Sequence, residues 1–159
     1  MATSMPQNPI CSLVEDGTLE LQTEAGSQPW YNGVVVAEDK VLVIDRDAWN
    51  LQVYSLDGKL ISSHRLESNP MGVCLISKTE VAVCLSDCTI VIMSFKSIDD
   101  VKLVRTLKVK TGFHRCNSVA KWNPDKLIVS GVKRDDWMLY WCVVNLTDGR
   151  VHYTHKVCK

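Results

Sequence analysis

The residues with chemical reach in this 159-residue chain are its seven cysteines, Cys11, Cys74, Cys84, Cys88, Cys116, Cys142 and Cys158, and the histidines near them. A zinc centre needs nitrogen and sulfur ligands delivered in closely spaced pairs. Cys84, Cys88, His114 and Cys116 are one conceivable set, but the chain has no Cys-x-x-Cys, and Cys84 sits inside one apolar run while Cys88 opens the next. His152, His155 and Cys158 are a second grouping. On a strand, residues 152 and 155 point to opposite sides, which defeats chelation. Neither set supports a metal, and no other cofactor is implied. An odd cysteine count without a secretion signal fits free thiols, most of them acting as small buried hydrophobes.

Covalent and acid–base chemistry is also unsupported. The chain contains no Gly-x-Ser-x-Gly, no phosphate-cradling glycine loop and no His-Glu-x-x-His, the spacings that nucleophilic, phosphoryl-transfer and metalloprotease sites need. A non-enzymatic role is expected. The sequon Asn145-Leu146-Thr147 carries no weight without secretion. Met1–Ile10 lacks a basic residue and an apolar segment, so it does not read as a signal peptide. No apolar run approaches the roughly 18 residues of a membrane span. A cytoplasmic location is the default expectation, with no membrane partner.

Charge is distributed unevenly. Lysine plus arginine and aspartate plus glutamate each total 18, but residues 1–95 carry 5 basic and 12 acidic residues, and residues 96–159 carry 13 and 6. Such asymmetry fits a polyanion-binding face or head-to-tail association, and equally a solvated surface. The basic segment Lys96–Arg115 holds the best polyanion candidates, Lys102, Lys108 and Lys110, which strand alternation places on one face with Arg105 on the other.

The elements that would position these groups follow from an internal repeat. An Asp-Gly flanked by β-prone stretches occurs at Asp16-Gly17, Asp57-Gly58 and Asp148-Gly149. This is a strong hairpin signal, because glycine accepts the positive φ of a tight turn. Ser97–Val101 occupies the expected intermediate turn without the glycine. Upstream of each turn lie two short apolar runs. They are Gly33–Ala37 and Val41–Ile44, Gly72–Ile76 and Val81–Leu85, and Ser118–Trp122 and Leu127–Ser130. Continuous apolar runs read as strands buried on both faces, and alternating ones such as Leu51–Leu56 and Leu60–Leu66 as strands with one wet face.

Four short strands per roughly 40–45 residues is the pattern of a propeller blade. The expected fold is therefore all-β: an incomplete, open β-propeller of about three four-stranded antiparallel blades, near residues 33–70, 71–116 and 117–159. A strand pair at 10–22 precedes them, and residues 1–9 are expected to form a flexible leader. Three blades leave apolar faces open, so either further sequence or a second copy is expected to complete the ring.

The stretch Val43–Leu60, with Asp45 ending one strand, then Asn50-Leu51-Gln52-Val53-Tyr54 and the Asp57-Gly58 turn, resembles an NHL repeat. Pro70–Val83 and Val101–Val109 are similar to blades in the C-terminal NHL propeller of invertebrate tripartite-motif (TRIM-like) proteins. The likeness covers residues from about 30 to 157. It departs at Lys133–Met138, where a shorter turn is expected. The ligase activity of that family resides in a RING, and this chain lacks the paired zinc ligands of a RING or B-box. The resemblance thus implies the recognition domain alone, which in relatives binds protein or RNA.

Propeller rims are built from inter-strand turns. Trp30, Tyr31, Arg46, Trp49, Arg134 and Trp137 fall at such turns and belong to residue types enriched at interface hot spots. They form the candidate interaction rim. The expected function is a non-catalytic module that binds a protein partner, with single-stranded RNA binding through the basic second half as the alternative.

Overall fold

The structure, a computed structural model, describes Leu21 and residues 28–97 and 100–157, with the side chains at 96, 97 and 100 excepted. The expected strand pair at 10–22 and its Asp16-Gly17 turn lie outside the described residues, apart from Leu21. The described chain is all strand and turn. Twelve strands run in order: β1 (Tyr31–Ala37), β2 (Lys40–Asp45), β3 (Asn50–Ser55), β4 (Leu60–Arg65), β5 (Pro70–Ser77), β6 (Glu80–Leu85), β7 (Thr89–Ser97), β8 (Asp100–Lys108), β9 (Arg115–Asn123), β10 (Lys126–Val132), β11 (Leu139–Asn145) and β12 (Val151–Lys156).

They form three four-stranded antiparallel meanders, each in chain order: β1–β4 (sheet 1), β5–β8 (sheet 2) and β9–β12 (sheet 3). Tight turns enforce this. Gly58 and Gly149 take φ of 82° and 71°, and the Gly58 amide donates to the Ser55 carbonyl to close its hairpin. The first strands β1, β5 and β9 lie side by side and form the inner edge of the array. At the outer edge β12 is almost wholly exposed. The described sheets do not close into a ring.

Each sheet has two faces, because side chains alternate along a strand. The face of sheet 1 carrying Leu42, Ile44, Leu51 and Val53 packs on the face of sheet 2 carrying Val81, Val83, Val91 and Met93. The opposite face of sheet 2, with Ala82, Cys84, Ile90 and Ile92, packs on the face of sheet 3 with Leu127, Val129, Cys142 and Val144. The same step is repeated twice: the trailing face of one sheet covers the leading face of the next.

Two faces lack such a cover among the described sheets. They are the leading face of sheet 1 and the trailing face of sheet 3. Here the expectation of inner strands buried on both sides fails for β1, while β2 is buried along its whole length. Val34 and Val36 of β1 are 61% and 59% exposed, because no described sheet stacks on that side. Val41 and Val43 of the same face are buried in a small cluster with Tyr54, against which Leu21, Tyr31 and Leu60 pack.

Candidate interaction rim

In a meander, successive turns fall at opposite ends of the sheet. The β2–β3, β6–β7 and β10–β11 turns therefore share one end with the segments that lead into β1, β5 and β9. Backbone hydrogen bonds tie these together: Arg46 N–H to the Trp30 carbonyl (2.9 Å), Leu66 N–H to Trp49 (2.7 Å), Ser86 N–H to Asn69 (2.8 Å) and His114 N–H to Val132 (2.7 Å). One rim thus gathers Trp30, Arg46, Trp49, Arg134 and Trp137.

The two larger turns on this rim repeat a short motif. Arg46-Asp47-Ala48-Trp49 in sheet 1 and Arg134-Asp135-Asp136-Trp137 in sheet 3 both read Arg-Asp-x-Trp. Both tryptophans occupy left-handed backbone, each at φ 53°. A bulky residue rarely sits there, at a cost on the order of 1–3 kcal/mol. Both rings are held out to solvent, Trp49 at 39% and Trp137 at 65% exposure. The equivalent turn of sheet 2 is Ser86-Asp87-Cys88, with Cys88 at φ 65° and no aromatic. The strained position is thus common to all three turns, and only the first and third place an aromatic on it.

Local bonding fixes the loops. Asp45, buried at the end of β2, accepts from the amides of Asp47 (3.0 Å) and Ala48 (3.2 Å). The Arg46 guanidinium lies over the Trp30 ring at 5.0 Å, and that of Arg65 over Trp49 at 5.6 Å. In sheet 3 Asp136 accepts from the Met138 amide (3.0 Å), the Tyr140 hydroxyl (2.7 Å) and Lys156 (2.9 Å). These donors, Lys156 first, hold its carboxyl down at about 2. His114 meets Trp137 edge-on at 5.4 Å. Alternating guanidinium and indole groups give flat apolar area with charge at its edges, the composition found at interface anchors.

Two sequence expectations need correction. Tyr31 is not on the rim. It pairs with Asp45 as the first residue of β1, and its hydroxyl meets that of Tyr54 at 3.2 Å on the uncovered face of sheet 1. Nor do Lys102, Lys108 and Lys110 share a face. A β-bulge between Ile92 and Met93 in the β7–β8 pairing shifts the register at Val104. Lys102 is thereby placed with Arg105 on the side of sheet 3, and Lys108 with Thr106 on the side of sheet 1. Alternation counted through an unbroken strand gives the wrong parity once an extra residue intervenes.

Cys84, Cys88, Cys116 and Cys142 come together in the apolar core between sheets 2 and 3. Burial pushes the thiols of Cys84 and Cys142 up to about 12. Cys88 goes the other way, to about 7, because the Cys116 thiol hydrogen-bonds to it, while that bond and burial raise Cys116. His114 is exposed and turned to Trp137, away from these thiols. His155 stacks on Trp141 at 4.8 Å, and Cys158 lies outside the described residues. Among the described residues, no three His, Cys, Asp or Glu side chains are arranged to hold a metal ion, and no helix is long and apolar enough to cross a membrane.

Sequence reasoning missed Arg65, named His114 only as a conceivable zinc ligand, and read Asp45 as the end of a strand without its capping of the turn. The Arg-Asp-x-Trp recurrence was legible and would have singled out both turns as equivalent.

The fold and its rim define the class: this is an open run of β-propeller blades. Solved structures with the same arrangement include Kuenenia stuttgartiensis hydrazine synthase, with a TM-score of 0.67 at 12% identity over 80% of this chain and 37% of that one. The WD40 domain of Neurospora crassa Pan2 gives 0.61 at 11% over 79% and 36%. The WD40 β-propeller domain of Doa1 gives 0.60 at 15% over 79% and 39%. The likeness is one of fold, and the chain spans less than two-fifths of each of these chains. No family model matches the chain, and no curated protein matches it in sequence.

Proposed function

We propose that the chain is a protein-interaction module whose partner docks on the rim bearing Trp30, Arg46, Trp49, Arg134 and Trp137. The observation that carries this reading is the repeated Arg-Asp-x-Trp turn, with an exposed indole held on left-handed backbone in sheets 1 and 3. The left-handed position is common to the three turns; what sets sheets 1 and 3 apart is the exposed tryptophan placed on it, a residue type enriched at interface hot spots. In the tripartite-motif proteins whose repeat the sequence resembles, the propeller selects what the ligase acts on, and the proposal gives this rim that recognition role.

The RNA alternative drew on a lysine face that the bulge in β8 divides, so the protein reading is preferred. Partner recovery from lysate on immobilised wild-type chain, compared with Arg46→Ala and Trp49→Ala, tests the rim. Loss of the recovered proteins in both variants is expected, and unchanged recovery rejects it. Trp49→Gly sharpens the test, since glycine accepts φ 53° without strain and leaves the fold intact. Tight binding of single-stranded RNA that weakens steeply with salt would replace the protein reading.

A further inference from the structure

The leading face of sheet 1 already holds one side chain from outside the sheet. Val41 and Val43 are buried there with Tyr54, and Leu21 of the same chain packs on them beside Tyr31 and Leu60. Leu21, Tyr31, Gly33, Val34, Val41 and Val43 line an apolar hollow of about 300 Å³. Val34 and Val36 stay largely exposed on the same face.

The internal repeat accounts for the position of Leu21. An Asp-Gly turn joins the third and fourth strands in sheet 1, at Asp57-Gly58, and in sheet 3, at Asp148-Gly149. Five residues after the aspartate stand Ser62 and Tyr153, whose register partners are Val53 and Val143. Seven residues after it stand His64 and His155, paired with Leu51 and Trp141. All four belong to the trailing side of their sheets, the side by which sheet 1 meets the leading face of sheet 2. Ser63 and Thr154 stand between them, pair with Gln52 and Cys142, and belong to the other side. Counted from Asp16 in the same way, Leu21 is the fifth residue, Gln22 the sixth and Thr23 the seventh. Leu21 thus holds a trailing-side position, and it lies on a leading face.

The chain also enters β1 as it enters β5. On the way from β4 to β5 the Asn69 carbonyl accepts from the Ser86 amide in the β6–β7 turn (2.8 Å). Ahead of β1 the Trp30 carbonyl accepts from the Arg46 amide in the β2–β3 turn (2.9 Å). β1 therefore has the lead-in that, before β5, comes from a fourth strand.

We propose that residues 18–23 of this chain take the place of a fourth strand ahead of sheet 1 and cover its leading face, with Leu21 and Thr23 turned onto Val34, Val41 and Val43 and Gln22 turned away. The occupant is the chain itself, because Leu21 is already seated on the face. Withdrawal of this apolar area from water favours the covered state. The leading face of sheet 1 then belongs to the protein's own core and is not a docking surface for another molecule.

Gln22 and Thr23 lie outside the described residues and carry the test. Benzoylphenylalanine replaces Thr23 in one variant of the full chain and Gln22 in another, and each is irradiated as a mixture of isotope-labelled and unlabelled protein. Peptide mass spectrometry should find position 23 joined to residues between Val34 and Val43 of its own chain, with several-fold less of that product from position 22. Adding Val34→Asp, at an exposed position where circular dichroism should be unchanged, should lower the yield from position 23. No product on sheet 1 from position 23, equal yields from the two positions, or an unchanged yield with Val34→Asp overturns the proposal. Products that join labelled to unlabelled chains overturn it as well, and would make a second copy the occupant.

Discussion

The two junctions between sheets solve one packing problem with different side chains. Between sheets 1 and 2 the core is branched and bulky, with Leu42, Ile44, Leu51, Val83 and Phe95. Between sheets 2 and 3, Cys84, Cys88, Cys116, Cys142 and Ala82 are interspersed among Ile90, Ile92, Leu127 and Val129. Small side chains let backbones approach. A Cβ added at Gly72 in β5 would meet the Cα of Ser118 in β9 at 2.9 Å, whereas one at Gly33 in β1 would meet only side-chain atoms of Val73 and Ile44, at 3.1–3.3 Å. The first junction is therefore filled by bulky side chains alone, and the second adds close backbone approach and buried thiols, of which Cys84 and Cys142 are held protonated by burial.

The largest effect should separate the junctions by volume. Leu42→Ala removes a fully buried side chain and is expected to cost about 2–5 kcal/mol in urea unfolding. Cys84→Ala removes one atom from the other junction and should cost about 1 kcal/mol. Equal losses would mean that the sulfur-lined core is not the looser dependence. Close approach comes next. Gly72→Ala forces a Cβ against backbone and should cost about 1–3 kcal/mol, while Gly33→Ala should cost less, because its neighbours are side-chain atoms of Val73 and Ile44 and not backbone.

Alkaline pH should then act on one junction alone. The thiols of Cys84 and Cys142, pushed from an ordinary value of 9.0 to about 12, favour the folded state fully below pH 9, and that contribution is lost as pH rises through about 12. Cys88, lowered to about 7, has the opposite sign: its contribution is present above pH 9 and is lost as pH falls through 7. Above pH 9 only the raised thiols still titrate, so between pH 9 and 11 protection from hydrogen exchange, corrected for the hydroxide-catalysed intrinsic rate, should fall in β9–β12 before β1–β4. An equal loss of protection in both would remove the distinction. The smallest effect belongs to Asp136. With its carboxyl held at about 2, the order it gives the Trp137 turn is present above pH 3.8 and is lost as pH falls through 2. Trp137 fluorescence should change in that window, and Asp136→Asn should abolish the change.

Much of the architecture was legible because it depends on local rules. Asp57-Gly58 and Asp148-Gly149 announce turns that require positive φ, and the apolar runs before them announce strands. The apolar run at Gly33–Ala37 was legible as a strand, but its burial was not, since burial depends on what stacks against it. The lysine parity was not legible, because nothing in the residues around Val104 marks a bulge. The rim was legible as residue types. The left-handed backbone at Trp49 and Trp137 was not, because tryptophan is a residue that propensity would keep out of that conformation.

The central claim is that binding belongs to the Arg-Asp-x-Trp rim. A photo-crosslinking amino acid placed at Ala48 or Asp135 tests it most directly against the same group at Lys59 or Thr147, in the turns of the opposite end. The account predicts that one and the same protein is captured from the first pair of positions and not from the second. Capture from Lys59 or Thr147 with none from Ala48 or Asp135 would contradict it.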